Sequence, residues 1–106
     1  MKPLPAPGAR TPQTLVEIPC NWYMEDMTPL GYLPAAPNSH GFVSPTTIEQ
    51  NWKSRFAFLY SEALEKSIEE DSEQGFVFPL ILHPDTSGMA HVVGMIDRMI
   101  LWLKQQ

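Results

Sequence analysis

The continuous apolar run GFVFPLILH, Gly75 to His83, is the sequence feature that most restricts the possible folds. Its apolar residues follow one another without alternation, which is typical of a strand covered on both faces of a parallel sheet. Pro79 weakens this prediction, because proline cannot donate a hydrogen bond within a central strand. The turn-forming residues Pro-Asp-Thr-Ser-Gly follow the histidine directly. We therefore predict a buried strand that carries His83 at its C-terminal end.

A second strand and a long loop are predicted in the first half of the chain. The β-favouring run TLVEIP, Thr14–Pro19, ends in proline and has the length of a strand. Prolines and glycines are frequent between residues 20 and 44, which excludes a long helix and predicts a loop there. Loops of this length within a domain are uncommon and are often functional.

Two helices are predicted after this loop. The first is predicted to begin at Pro45, since proline suits the first helical position and Ser44 can cap the free N–H groups. The second is predicted within residues 91–106. Apolar residues recur at helical spacing in both segments. These residues are Ile48, Trp52, Phe56, Leu59 and Ala63 in the first helix and Val92, Ile96, Met99, Ile100 and Leu103 in the second.

The order of these elements predicts an α/β fold built from parallel β-α units. Binding groups of such folds lie at the C-terminal ends of the strands. His83 follows the second predicted strand directly, and Trp22, Tyr23, Glu25 and Asp26 follow the first. We therefore expect these two polar clusters to meet at one edge of a sheet.

The number of elements is too small for a complete fold of this class. A β/α barrel needs about eight strands and about 250 residues, and a two-stranded sheet is marginally stable. Residues 1–13 are rich in proline and are predicted to form a flexible leader, which leaves residues 14–106 for the domain. The chain is thus expected to be a piece of a larger domain, to self-associate, or to bind a partner that completes its sheet.

The composition excludes several classes of partner. The net charge of −5 and the absence of a Lys/Arg cluster argue against nucleic acid and anionic membrane surfaces. Cys20, as the single cysteine, cannot form an internal disulfide. No apolar run reaches the roughly 20 residues that a membrane span needs, and the N-terminus lacks the apolar core of a secretory signal. We therefore expect a cytoplasmic protein without a membrane or nucleic-acid partner.

Two segments carry a resemblance to a known family. LVEIPCNWYMEDMTPLGYLP, residues 15–34, and FPLILHPDTSGMAHVVGMIDRMILWL, residues 78–103, resemble the C-terminal part of a polysaccharide deacetylase of the NodB-homology superfamily. The branch that they resemble includes peptidoglycan deacetylase-like and allantoinase-like proteins. The resemblance implies a distorted β/α barrel of seven or eight parallel strands. This chain would form a partial (β/α) barrel, with only the C-terminal strands and helices.

The resemblance also implies a chemistry and assigns His83 and Leu80 to it. In this family a divalent metal, usually zinc, polarises an acetamido carbonyl and activates a water, and a carboxylate removes the proton of that water. The Leu-x-x-His pattern falls on Leu80 and His83. His83 would then protonate the departing amine, and Leu80 would line the pocket for the acyl methyl group. Imidazole suits the task because its pKa lies near physiological pH.

The segment NWYMEDM, residues 21–27, resembles another motif of the family, an aromatic residue near one or two acids. On that resemblance Asp26 would orient a neighbouring catalytic group, with Glu25 as the alternative for this role. Trp22 and Tyr23 would bind substrate as part of the pocket wall.

The motifs that hold the metal in this family are missing from the sequence. No Asp-Asp pair follows the first predicted strand, and His40, His83 and His91 are too widely spaced for a pair of histidines four residues apart. The arginine-containing motif is missing as well. We therefore expect no metal ligand and no cofactor in this chain, with zinc or another divalent metal bound elsewhere in a complete family enzyme.

Two functions are consistent with this pattern. The chain is either the C-terminal fragment of a metal-dependent carbohydrate deacetylase, inactive alone, or a catalytically silent interaction or regulatory module derived from one. A start at Met1 with a proline-rich leader favours a chain translated as such, and hence the second function. N-acetylglucosamine polymers, peptidoglycan and ureides all stay open as substrates, and the oligomeric state stays open too.

Overall fold

The computed structural model of the protein describes Gly8, residues 15–36 and residues 41–106. The prediction of a flexible leader therefore lies outside the described residues, except at Gly8. The described parts form a 3-10 helix, Trp22–Met24, and the α-helices α1 (Met27–Leu30), α2 (Pro45–Glu69), α3 (Pro84–Ser87) and α4 (Val93–Lys104). The two predicted long helices are confirmed as α2 and α4. No described helix is both long enough and apolar enough to cross a membrane.

The predicted α/β class is wrong. Over the described residues there is no strand and no sheet, and therefore no partial (β/α) barrel. The described residues form one isolated parallel bridge, between Glu25 and Ile81, and of these two only Ile81 lies in a run predicted as a strand. The physical reason is that a strand needs neighbours, and Pro19 and Pro79 each remove a donor from the two candidates that the chain offers.

The isolated bridge nevertheless fixes the relative position of two distant segments. The Asp26 N–H donates to the Ile81 carbonyl at 3.2 Å, and the Ile81 N–H donates to the Met24 carbonyl at 3.0 Å. Because the pairing is parallel, the residues that follow Glu25 and Ile81 run side by side. Asp26 and His83 therefore lie close together without a sheet.

Helices α2 and α4 pack against each other and form most of the core. Trp52 of α2 is 1% exposed, and Met99 of α4 is fully buried. The predicted apolar stripe of α2 is buried at its first half and near its end, whereas Ile100, predicted for the buried face of α4, is exposed. The core cluster consists of Met24, Leu30, Ile48, Trp52, Val92, Met95 and Met99.

An aromatic cluster attaches the segment before the bridge to this helix pair. The ring of Phe56, on α2, lies 5.3 Å from the rings of Phe76 and Phe78 and 5.2 Å from that of Trp102 on α4. All three contacts are edge-on, the geometry that aromatic quadrupoles favour. The cluster thereby holds the chain that leads into Ile81 and His83.

A carboxylate between the two helices adds a polar contact to this packing. Glu49 is 8% exposed and accepts hydrogen bonds from Arg98 Nη2 at 3.1 Å and Lys53 Nζ at 3.2 Å. Burial alone would raise the pKa of Glu49, but the hydrogen bonds from Arg98 and Lys53 outweigh it and lower the pKa. The charged carboxylate therefore links α2 to α4.

Substitution Glu49→Gln should destabilise the fold by about 1 kcal/mol, because it removes a charge-assisted hydrogen bond between α2 and α4. The effect is small because the side chain of Arg98 is half exposed and its charge is screened by water. Urea unfolding followed by circular dichroism measures the change. Glu62→Gln, at an exposed position of the same helix, is the matched control and should change stability by less than about 0.5 kcal/mol. Equal effects of the two substitutions would contradict the role of Glu49.

Candidate active site around His83

The candidate site is built around the carboxylate of Asp26, which is completely buried. Its Oδ2 accepts the backbone N–H of His83 at 2.8 Å and the hydroxyl of Ser87 at 2.5 Å. Its Oδ1 lies 2.6 Å from Nδ1 of the His83 ring. Because an ionised carboxylate only accepts hydrogen bonds, Nδ1 carries a proton toward it. Three donors therefore converge on one buried acid.

The one-turn helix α3 brings two of these donors to the same side. Pro84 begins the turn, where the missing N–H of proline costs no hydrogen bond. The His83 carbonyl accepts the N–H groups of Thr86 at 3.0 Å and Ser87 at 2.8 Å. His83 and Ser87 are four residues apart, so their side chains lie on one face of the turn.

Glu25 has a different structural task from its neighbour Asp26. Its carboxylate accepts the backbone N–H groups of Met27 at 3.0 Å and Thr28 at 2.6 Å, together with the Thr28 hydroxyl. It thus caps the N-terminus of α1, whose free N–H groups favour an acid. Its nearest oxygen lies 4.0 Å from His83 Nδ1, so the hydrogen bond to the ring comes from Asp26.

The charges in the site favour a protonated imidazole beside an ionised carboxylate. The hydrogen bond to Asp26 raises the pKa of His83, desolvation opposes this, and the charges of Asp26, Glu25 and Asp85 add to the rise. Burial would raise the pKa of Asp26, but the hydrogen bonds from Ser87 and His83 outweigh it and lower the pKa. The ring of His83 therefore keeps its proton to a higher pH than a free imidazole does.

The His83 ring borders an open cleft of about 740 Å³. Its side chain is 38% exposed, and no hydrogen bond from the described residues reaches Nε2. With Nδ1 held by Asp26, Nε2 is the ring nitrogen left for a molecule in the cleft. The other described residues that line the cleft are Cys20, Asn21, Trp22, Glu25, Met27, Thr28, Leu30, Gly31, Tyr32, Leu33, Ile81, Asp85, Thr86 and Met89.

The structure separates the three predicted substrate-binding residues. Trp22 lines the cleft and is 80% exposed. Tyr23 is outside the described lining, and the guanidinium of Arg55 lies 4.6 Å from its ring centre. Leu80 is half-buried and packs against the core, while its neighbour Ile81 lines the cleft. Of the residues predicted to bind substrate, the described cleft therefore includes Trp22 alone.

Ser87 stands in the Pro-Asp-Thr-Ser-Gly turn that the sequence analysis noted, but no role was assigned to it, and the structure places its hydroxyl against Asp26. The signal that could have found it is its spacing of four residues from His83 across a turn that begins with proline.

A metal ion needs ligand atoms that are close together and free to bind it. Glu25, Asp26 and His83 each offer a ligand atom within 4.8 Å of the others, and this is the one such group in the described part of the chain. Both oxygens of each carboxylate, however, already accept hydrogen bonds from the protein. A cation would also have to displace the Nδ1 proton next to a fully buried acid. These three residues therefore do not fit the zinc site that the family resemblance implies.

Two curated proteins match nearly the whole chain. The peptidoglycan deacetylase-like protein FGM2 of Gibberella zeae is 55% identical over 105 residues, which are 99% of this chain and 29% of that protein. A peptidoglycan deacetylase of Helicobacter pylori is 39% identical over 100 residues, 94% of this chain and 30% of that protein. No protein-family model matches the chain. The chain spans less than a third of the length of these curated relatives.

These matches confirm the resemblance that the sequence motifs carry. The chain is homologous to one segment of each relative. The first relative is named a peptidoglycan deacetylase-like protein and the second a peptidoglycan deacetylase.

The stability that the His83–Asp26 pair contributes should depend on pH in a defined window. His83 has a raised pKa, so its contribution is complete below the ordinary value of 6.5 and is lost as the pH rises through the raised value. Asp26 has a lowered pKa, so its contribution is complete above the ordinary value of 3.8 and is lost as the pH falls through the lowered value. Stability differences between the native chain and Asp26→Asn should therefore be largest between about pH 4 and pH 6.5.

Urea unfolding at a series of pH values measures this difference. The substitution His91→Asn, at an exposed residue outside the site, is the control and should leave the pH-dependent difference in place. A difference between the native chain and Asp26→Asn that does not vary with pH would rule out the charged pair.

Substitution Gly88→Ala should disrupt the turn that carries His83 and Ser87. A Cβ at this position would lie 2.4 Å from the Pro84 carbonyl oxygen, a backbone atom that cannot move without the turn. We expect a loss of roughly 1–3 kcal/mol in the free energy of unfolding. Gly75→Ala is the matched control, since a Cβ there meets no atom within 4 Å. If both substitutions change the urea midpoint equally, the close approach at Gly88 does not affect the stability of the fold.

Proposed function

We propose that the chain provides the proton-donating side of the active site of a metal-dependent carbohydrate deacetylase, with His83 as the general acid. One observation carries the proposal. The Nδ1 of His83 is held at 2.6 Å by the buried Asp26, while the ring borders an open cleft. This arrangement leaves the Nε2 proton as the one that can be given to a bound molecule.

The chemistry of amide cleavage requires such a donor. When the bond between the acyl carbon and the amide nitrogen breaks, the departing amine must gain a proton, and a general acid within hydrogen-bond reach supplies it. The raised pKa of His83, caused mainly by its hydrogen bond to Asp26, favours the protonated ring that a general acid needs. After the transfer, the neutral ring keeps its proton on Nδ1, which still donates a hydrogen bond to Asp26.

The remaining groups of the reaction are proposed to lie outside this chain. Glu25, Asp26 and His83 form the one group of possible metal ligands among the described residues, and they already make hydrogen bonds within the protein. The curated relatives are more than three times as long as the matched segment. We propose that zinc or another divalent metal, which would polarise the acetamido carbonyl, binds in the rest of a complete enzyme. The names of the relatives favour peptidoglycan, an acetylated carbohydrate, as the substrate.

An interaction module is the second candidate, and the exposed apolar side chains favour it. Leu15 is 84% exposed, Val16 80% and Ile18 56%, on a segment without regular structure. Such a surface is expected to be covered by a second protein segment or by another copy of the chain. The two functions differ in one respect, which is whether His83 contributes to turnover in the assembled protein.

The purified chain alone should release no acetate from acetylated chito-oligosaccharides or peptidoglycan and should hold no stoichiometric metal. The reason is that Glu25, Asp26 and His83, the possible metal ligands among the described residues, are already held by hydrogen bonds within the protein. Acetate assays and metal analysis by mass spectrometry measure the two quantities. Stoichiometric zinc together with turnover would show that this chain has its own metal site, and the proposed division of the active site would then be wrong.

The role of His83 can be tested in a chimaera in which this chain replaces the matching segment of the Helicobacter pylori peptidoglycan deacetylase. His83→Asn in that chimaera should lower the rate of acetate release by about 100-fold or more, since general acid catalysis contributes at least that much. His91→Asn is the matched control and should retain the rate. If His83→Asn is as active as the unsubstituted chimaera and equally well folded, His83 is not the general acid and the interaction module is favoured.

A further inference from the structure

We infer that Ser87 is a positioning residue whose hydroxyl fixes the rotation of the Asp26 carboxylate, so that Oδ1 faces Nδ1 of His83. The inference rests on the proposed role of His83 as the proton donor. It concerns the geometry of the pair, however, and this geometry can be measured without any turnover.

The donors are distributed unequally over the two oxygens of Asp26. Oδ2 accepts the backbone N–H of His83 at 2.8 Å and the hydroxyl of Ser87 at 2.5 Å, while among the described residues the His83 ring alone bonds to Oδ1. Rotation of an aspartate carboxylate about its last bond meets only a weak intrinsic barrier. Two donors on Oδ2 set this rotation, and Oδ1 is thereby aimed at the ring.

Burial makes the hydroxyl difficult to replace. Asp26 is fully buried and Ser87 is 8% exposed, so solvent has little access to Oδ2. A side chain without a donor at position 87 would leave Oδ2 with the His83 N–H alone. The carboxylate could then turn, and its bond to the ring would weaken even though both residues are still present.

The other charged groups near the ring, Glu25 and Asp85, do not set the orientation of the Asp26 carboxylate. Glu25 lies 4.0 Å from Nδ1 and caps α1, and Asp85 contributes through its charge. Neither of them contacts Ser87 through a hydrogen bond among the described residues. A change in the ring after substitution of Ser87 therefore reports the orientation of Asp26.

The catalytic consequence lies in the tautomer of the neutral ring. With Oδ1 in place, the neutral imidazole keeps its proton on Nδ1 and leaves the lone pair of Nε2 toward the cleft. The same nitrogen then carries the transferable proton in the charged form. If Oδ1 no longer faced Nδ1, the proton of the neutral ring could move to Nε2, and the pKa of His83 would fall.

The test is ¹⁵N NMR of the histidine rings in the labelled 106-residue chain as a function of pH, with the His83 signals assigned through His83→Asn. Ser87→Ala should shift the neutral His83 ring from the Nδ1–H toward the Nε2–H tautomer and lower its pKa. Ser87→Thr keeps a hydroxyl and should restore the native pattern. Ser61→Ala removes an exposed serine hydroxyl on α2 and should change neither quantity.

Unchanged tautomer and pKa in a folded Ser87→Ala chain, or a rise in the pKa, would overturn the inference. If Ser87→Ala does not fold, Ser87→Cys has a similar size but a weaker donor and should show the same shift to a smaller extent. A His83 ring unaffected by Ser87→Cys overturns the inference as well. The result does not depend on the chimaera assay, so failure of the general-acid role and failure of the positioning role are distinguishable.

Discussion

The site depends on the requirement that a buried carboxylate be surrounded by donors. An ionised acid without solvent is strongly disfavoured unless hydrogen bonds replace the water that it has lost. Asp26 obtains its donors from His83 and Ser87, which lie 57 and 61 residues further along the chain. One acid therefore joins the segment before α1 to the turn α3, and it decides where the imidazole of His83 points.

The helices supply the frame in which this acid can be buried. Trp52 and Met99 close the contact between α2 and α4, and the edge-on rings around Phe56 hold the segment that leads to Ile81. The bridge between Ile81 and Glu25 then delivers His83 next to Asp26. Packing, backbone pairing and side-chain hydrogen bonds thus act in sequence, and each step positions the next one.

The sequence predicted part of this arrangement for reasons that can be stated. The helices α2 and α4 follow from apolar periodicity, which is a local property of the chain. The meeting of His83 with Asp26 was expected from two strand ends, and the single Glu25–Ile81 bridge produces it without strands. The sheet could not be predicted correctly, because strand formation depends on neighbours outside the run itself. Ser87 was missed because its partner lies 61 residues away.

The hydrogen bonds between Asp26 and His83 also determine what the site costs to assemble. They join residues 57 positions apart, so forming them closes a long loop of chain. Closing a flexible loop of this length costs about 4 kcal/mol of conformational entropy, before any constant term. The helix α2, Pro45–Glu69, lies within that loop and shortens it as it forms. Assembly of the site is therefore less costly once α2 exists. The contact between Asp26 and His83 is accordingly expected to form late in folding, after α2.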